Sequence, residues 1–351
     1  MRMDDGLAVS LLAALPQPAL FVGRDERVVS ANPAARLLLG EGLTGRHFAL
    51  CMRHPLAIAA IEAALMAGRL GEARLSGLSA DRDGAFRLTV TPVAGDGVSG
   101  ALCLFEDVSD AEQIGLMRRE FVANVSHELR TPLTALLGFI ETLRGAARDD
   151  VVAREKFLQI MAREAGRMNR LVADLLQLSQ VEAAERVRPS DLVDILTSVQ
   201  STAAALRPLA DQAGTRITVA GPGGPVMVRG DADQLVQVFQ NLIENAVKYG
   251  GGSPVDVTIS RGEERALGGA VIIATVRDQG EGIDPLHLPR LTERFYRVDS
   301  HRSREQGGTG LGLAIVKHIV NRHRGRLRIE SVQGSGSVFT VILPEAKENM
   351  A

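Results

Sequence analysis

The sequence predicts a multidomain α+β protein of three modules, at residues 1–108, 109–185 and 186–347, and three observations carry that prediction. Residues 1–108 alternate short apolar runs with Gly, Pro and Asp turn signals. Residues 109–185 hold one proline and long runs of Ala, Leu, Glu, Arg and Gln, which is helix composition. Residues 186–347 alternate strand-like and helix-like segments. The 351-residue length agrees, because a single domain usually takes roughly 100 to 200 residues.

In the first module, Ala19–Val22 and Val28–Ser30 read as strands around an Asp-containing turn, ANPAARLLLG as a helix, and Phe86–Pro92 and Gly100–Glu106 as a closing strand pair. In the second, Val122, Val125, Leu129, Leu133, Leu136, Ile140 and Leu143 recur at spacings of 3, 4, 4, 3, 4 and 3, a heptad seam. A second seam runs Met161, Ala165, Met168, Val172, Leu175 and Ser179, after a polar connection at Arg148–Asp150. Two antiparallel helices with one seam each cannot close a core alone. Two such hairpins from two chains can, as a four-helix bundle, so a homodimer is expected. In the third module the strands TRITVAG, VMVRGD, VDVTIS, AVIIATVRD, RLRIES and SVFTVILP surround the helices Asp233–Tyr249 and Leu311–Arg322. That order predicts an α/β sandwich with a mixed sheet.

Composition excludes several classes of function. Apolar residues at 45% and charged residues at 23% rule out a disordered or collagen-like chain. With 40 Lys+Arg against 42 Asp+Glu there is no bulk field for nucleic acid, so no nucleic-acid partner is expected. Cys51 and Cys103 make no disulfide framework or zinc spacing, which suits a reducing interior. His47, His54 and Cys51 invite a haem or metal reading, but scattered His in a small domain are more often structural. No segment approaches the ~20 apolar residues of a transmembrane helix, and the N-terminus makes a poor signal peptide. The expectation is a cytoplasmic protein, with docking to a membrane partner at the inner membrane left open.

Phe121–Pro132 reads FVANVSHELRTP. At 100° per residue His127 falls about 160° from the centre of the first seam, so its imidazole faces water, and Thr131 shares that outward face. A carboxylate next to an imidazole can accept its Nδ1 proton and leave Nε2 nucleophilic, the role open to Glu128. Pro132 removes a backbone donor and is expected to bend the helix just past His127. The blander reading of the same residues is a solvated charged face with a simple kink.

In the third module, Asn241 and Asn245 stand four residues apart on one helix face with Lys248 within a turn, and side-chain oxygens so placed can reach a hydrated Mg²⁺. VRDQGEGI follows a strand, where a buried Asp278 can accept from an adenine amino group and Gly280 and Gly282 admit close backbone approach. GGTGLGL opens a helix whose N-terminal NH groups favour phosphate. It is neither a Walker loop nor a Rossmann fingerprint. Each segment alone is as often a plain surface or turn.

Together these residues resemble a known family. SHELRTPL at Ser126–Leu133 is similar to the phosphoacceptor motif of bacterial sensor histidine kinases of two-component systems, and the wider FVANVSHELRTPLTALLGFIETL resembles the phosphate-regulon sensor kinases in particular. NLIENAVKY, DQGEGI, RFYR and GGTGLGL resemble the family's N, first glycine, phenylalanine and second glycine boxes, in the family's order. Residues 1–108 resemble a PAS sensor domain by order of elements; an unrelated α+β module is the alternative. The departure noticed is Gly250, where relatives often carry Thr or Ser.

The resemblance implies a PAS-like sensor domain, a dimerisation and phosphotransfer hairpin, and a C-terminal α/β sandwich of the histidine-kinase ATPase (GHKL) type. It implies His127 as phosphoacceptor, Glu128 orienting it, and Thr131 positioning a water for dephosphorylating the partner. For ATP it implies Asn241, Asn245, Lys248, Tyr249, Asp278, Gly280, Gly282, Ile283, Gly308, Thr309, Gly310, Leu311 and Gly312, with Asn245 on Mg²⁺ and Arg297 on the γ-phosphate. Asp299–Gln306 reads as an ATP lid, and the connector Ser109–Arg119 as the link that biases the hairpin between kinase and phosphatase arrangements. The partner implied is the receiver domain of a response regulator, and the setting a phosphate-starvation response. Two other readings stand beside it: an ATP-driven conformational ATPase of the same nucleotide fold, in which no histidine is phosphorylated, and a non-catalytic nucleotide-binding scaffold.

Overall fold

The computed structural model describes residues 10–78, 84–95, 98–298 and 308–346, without the side chains of Ala111, Ile114 and Arg118. The expected lid at 299–306, the tail at 347–351 and the first nine residues lie outside this set. The chain divides into two compact units, Met1–Ala123 and Asn124–Ala351.

The first unit is an antiparallel sheet in the order β2-β1-β5-β4-β3, with β1 Ala19–Gly23, β2 Val28–Ala31, β3 Gly71–Ser76, β4 Ala85–Gly95 and β5 Val98–Asp107. Three helices, α1 Pro33–Leu39, α2 Phe48–Cys51 and α3 Pro55–Ala67, lie between β2 and β3. Buried Phe48, Phe105, Met52 and Ile61 fill the core between helices and sheet. Asn32 organises the entry: its Oδ1 accepts from Ala19 N and Ala35 N, and its Nδ2 donates to the carbonyls of Leu15 and Gln17. All four hydrogen-bonding positions of a buried amide are thus used, and α1 is capped. His47 contacts Glu26 at 2.9 Å and caps α2, and Cys103 lies in the core, its thiol pushed up to about 12 by burial.

The long helix α4, Ser109–Arg144, carries SHELRTPL and passes through Pro132 as one helix. The hairpin partner α5, Val151–Ala184, starts at an Asp150 cap. The first seam is only half covered within one chain, since Val122, Leu133 and Ile140 stay exposed. The second seam is likewise only half covered within one chain, with Ala165, Val172 and Ser179 exposed, and beside it runs a buried stripe of Arg167, Leu171, Leu178 and Val181. Helix α9, Gly312–Arg322, packs on α5, and Arg167 is turned to Glu128 of α4.

The remaining elements form the sandwich. The sheet order is β11-β12-β10-β9-β7, with β7 Ile217–Ala220 parallel to β9 Val255–Glu264, and with β10 Gly269–Arg277, β11 Arg326–Val332 and β12 Gly336–Pro344 antiparallel, a mixed sheet as expected. A short pair, β6 Leu192–Asp194 with β8 Met227–Arg229, stands beside it. Helices α6 Ile195–Ala205, α7 Arg207–Gln212 and α8 Ala232–Tyr249 join α9 over the sheet. α8 buries Leu235, Val238, Phe239, Leu242, Ile243, Ala246 and Val247, so its opposite face is free to present polar residues. The sequence did not announce α6. Its Ser- and Thr-rich ILTSVQSTAAA has weak propensity, yet Asp194 caps it by accepting from Leu196 N, and Ile195, Val199 and Ala203 recur at four-residue spacing.

Candidate active site

The site is assembled at the end of β10, along α8 and at the start of α9. Asp278 follows the last residue of β10 and is buried; its Oδ1 accepts from Gly280 N at 2.9 Å and Ser337 N at 3.2 Å. Burial raises its pKa, and the two backbone donors oppose that rise. The glycines have a nearer cause than approach of a ligand. A Cβ on Gly280 would stand 2.2 Å from the Tyr249 carbonyl oxygen, and one on Gly282, at φ +67°, 2.1 Å from that of Val332. The box is therefore packed against the C-terminus of α8 and the end of β11, which fixes Asp278 beside Tyr249. Ile283 is tied by its N–H to Ser331 Oγ at 2.8 Å.

On α8, Lys248 Nζ donates to Glu244 Oε2 at 3.0 Å. Burial opposes ionisation of Glu244, yet the donors from Gln240 and Lys248 prevail and hold its pKa down. The Nδ2 of Asn241 is buried without a hydrogen-bond partner among the described residues, and its Oδ1 lies where a Cβ on Gly312 would come within 3.2 Å. An orphaned buried donor costs about 1–3 kcal/mol, so a group such as a phosphate oxygen suits this position. Asn245, one turn on, offers the oxygen chemistry that hard Mg²⁺ takes. Leu311 is buried and precedes α9, its N–H donating to Thr309 Oγ1 at 3.3 Å. Gly310, at φ +74°, lets the loop pass the Phe295 backbone, which a Cβ would approach to 2.9 Å.

From Asn124 onward, α4 belongs to the same unit as the loop Gly308–Gly312, and the two modules are joined by side-chain contacts. His127 is exposed, and Thr131 Oγ1 donates to the His127 carbonyl at 3.1 Å, so the hydroxyl is spent on its own helix here. Glu128 is engaged across the hairpin and not with the imidazole. Its Oε2 accepts from Arg167 Nη2 at 2.6 Å and lies 3.6 Å from Arg297 Nη2. Arg297 also donates to the Gly308 carbonyl. Thr309 Oγ1 donates to Asp174 Oδ2 of α5 at 2.6 Å. Lower down, Arg294 pairs with Glu182 at 2.6 Å and His318 with Glu185 at 2.9 Å.

Sequence reasoning missed Arg167 and Asp174. A signal existed: both sit at heptad spacing on the stripe shared with Leu171, Leu178 and Val181, and a charge inside an apolar stripe points to a specific partner.

Three family models match the chain: PAS fold over residues 12–113, His Kinase A (phospho-acceptor) domain over 117–184, and histidine kinase-, DNA gyrase B- and HSP90-like ATPase over 230–347. The phosphate regulon sensor protein PhoR of Pseudomonas aeruginosa is 45% identical over 248 residues, 68% of this chain and 53% of that protein. The sensor-like histidine kinase SenX3 of Mycolicibacterium smegmatis is 41% identical over 245 residues, 70% of this chain and 62% of that protein. The chain therefore spans between a half and two-thirds of the length of these relatives. The solved histidine kinase ThkA, in complex with response regulator protein TrrA, is similar over 97% of this chain and 99% of its own, at TM-score 0.53 and 20% identity, a likeness of fold.

Proposed function

From the premise that this chain belongs to the sensor histidine kinases of two-component systems, we propose that it transfers the γ-phosphoryl of ATP to His127 and from there to an aspartate of a response regulator. The observation that carries the reading is the contact of Arg297, from the nucleotide module, with Glu128, the neighbour of the exposed His127. Residues 1–108 act as the PAS-like sensor, 109–185 as the dimerising phosphotransfer hairpin and 186–347 as the ATP-binding module. The exposed seam residues Val122, Leu133 and Ile140 support pairing of two hairpins in a homodimer.

In this reading Asp278 accepts from the adenine amino group, and Asn241 and Arg297 receive phosphate oxygens. Lys248, Tyr249, Gly280, Gly282, Ile283 and the loop Gly308–Gly312 form the walls. Asn245 would hold Mg²⁺, which would supply charge neutralisation on the phosphates. His127 Nε2 attacks the γ-phosphorus; an N–P bond forms, the bridging P–O bond breaks, and ADP leaves with the electron pair. Glu128, once released from Arg167, accepts the Nδ1 proton. The phosphoryl group then passes to a carboxylate oxygen of the response regulator as the N–P bond breaks. In the reverse sense Thr131 positions the water that dephosphorylates that partner. Among the described residues no helix is long and apolar enough to cross a membrane, and we place the chain in the cytoplasm with room for a membrane-bound partner. The likeness to PhoR suggests phosphate-starvation signalling.

The test is incubation with γ-labelled ATP and Mg²⁺. Acid-labile, alkali-stable label that His127→Ala abolishes supports the kinase. ATP turnover with no label on the protein overturns it in favour of a conformational ATPase.

A further inference from the structure

Thr309 of the second glycine box already has a partner, a carboxylate from the hairpin. Thr309 is buried, and its one O–H donates to Asp174 Oδ2 at 2.6 Å. A hydroxyl has a single donor hydrogen, so while this bond exists Thr309 cannot donate to a phosphate. The charges around Asp174 point the same way. It interacts with Arg170 of its own helix, and with Lys248 and Glu244 of α8. The cationic potential of Lys248, which would favour a triphosphate, is shared with two carboxylates, since Glu244 also pairs with it. Burial raises the Asp174 pKa, and the Thr309 hydroxyl, Arg170 and Lys248 oppose that rise. Two turns closer to His127 along α5, Arg167 holds Glu128, and Arg297 leans toward the same oxygen, so a second residue of that module is turned to the hairpin. Gln177 bonded to Gln237 and Arg294 to Glu182 extend the contact along α5.

We propose that Asp174 is a nucleotide-site residue supplied by the hairpin, a carboxylate that takes the Thr309 donor and repels the triphosphate, so that ATP binding and docking of the nucleotide module on α5 oppose each other. The proposal rests on the nucleotide-site reading above. Two ligands that compete for one group weaken each other by the same factor. Removing Asp174 therefore tightens nucleotide binding.

The experiment is isothermal titration of the full chain with AMPPNP and Mg²⁺, for wild type, Asp174→Ala and Asp174→Asn. The expected result is a Kd lowered about five- to tenfold in Asp174→Ala. Asp174→Asn keeps an acceptor for Thr309 but loses the charge, and its Kd is expected between the two; being isosteric, it carries the test alone if the alanine variant fails to fold. Kd values equal to wild type, or weaker, in the folded variants overturn the proposal while leaving the nucleotide site standing. Absence of AMPPNP binding in all three proteins overturns the nucleotide-site reading and this proposal with it.

Discussion

Glu128 and Arg167 meet across the hairpin at 2.6 Å, 39 residues apart in sequence, with side chains only 20% and 11% exposed. Arg167 is among the few charged residues buried among the described residues, and Glu164 stands 4.0 Å from it on the same helix. The pair fixes the register of α5 against α4 at the turn that presents His127, and it sets where the Glu128 carboxylate can go.

Breaking a buried ion pair leaves the other charge uncompensated, at a cost of roughly 3–5 kcal/mol when burial is complete. Glu128 is partly exposed, so Arg167→Met is expected to lower unfolding free energy by about 2–3 kcal/mol in urea denaturation. The double variant Glu128→Gln/Arg167→Met should recover part of that loss, giving a coupling of at least about 0.5 kcal/mol in the double-mutant cycle. Additive single effects would show that the contact does not bind the helices together.

Asp278 sets function against stability. Burial raises its pKa, so the charged form is disfavoured in the folded state. A raised carboxyl contributes stability that is present below the unfolded value near 3.8 and is lost as pH rises through the folded value. Asp278→Asn is therefore expected to melt at a higher temperature than wild type at pH 7, with the gap closing as pH falls below about 4. Its AMPPNP affinity should fall at least tenfold, about 1.4 kcal/mol, because Oδ1 is taken by Gly280 N and Ser337 N and the oxygen left for adenine becomes an NH2 donor. Scanning calorimetry across pH and a nucleotide titration check the two halves.

What was legible in the sequence is what depends on local spacing. His127 and Thr131 fall outward because the helix period puts them there, and Asp278 with Gly280 and Gly282 forms a turn whose residues are neighbours in the chain. What was not legible depends on which face meets which. Thr309 and Asp174 are 135 residues apart, and the glycine pattern around Thr309 carries no trace of its partner. The same gap hid the buried stripe of α5: the helix has apolar residues on two faces, and its packing on α9 is a contact between elements more than a hundred residues apart. Glu128 has a partner that adjacency does not show, since its carboxylate reaches Arg167, 39 residues away.

Gly282 tests whether the first glycine box is a packing feature. Its φ of +67° is left-handed, which costs an L-residue roughly 1–2 kcal/mol, and a Cβ would stand 2.1 Å from the Val332 carbonyl oxygen, a backbone atom that cannot rotate away. Gly282→Ala should destabilise the chain by at least about 2 kcal/mol even without nucleotide. A variant as stable as wild type that loses only nucleotide binding would return the glycine to a ligand-contact role.

His323 links the two helices that flank the site. Its Nδ1–H donates to the Ile319 carbonyl at 2.7 Å and its Nε2 accepts from Asp231 N at 3.0 Å, so the neutral ring ties the end of α9 to the cap of α8. Burial pushes its pKa down, the Ile319 carbonyl and Asp231 work against that, and Arg322 and Arg188 add to it. Protonation would cost the Nε2 acceptor its bond to Asp231. A depressed histidine contributes stability that is present above its unfolded value near 6.5 and is lost as pH falls through the folded value. Wild type should therefore lose stability on acidification below about 6.5, while His323→Gln should be flatter over that window and about 1–3 kcal/mol less stable at pH 8. Urea midpoints at pH 5, 6, 7 and 8 for both proteins measure the two slopes, and parallel slopes would remove His323 as the group that titrates.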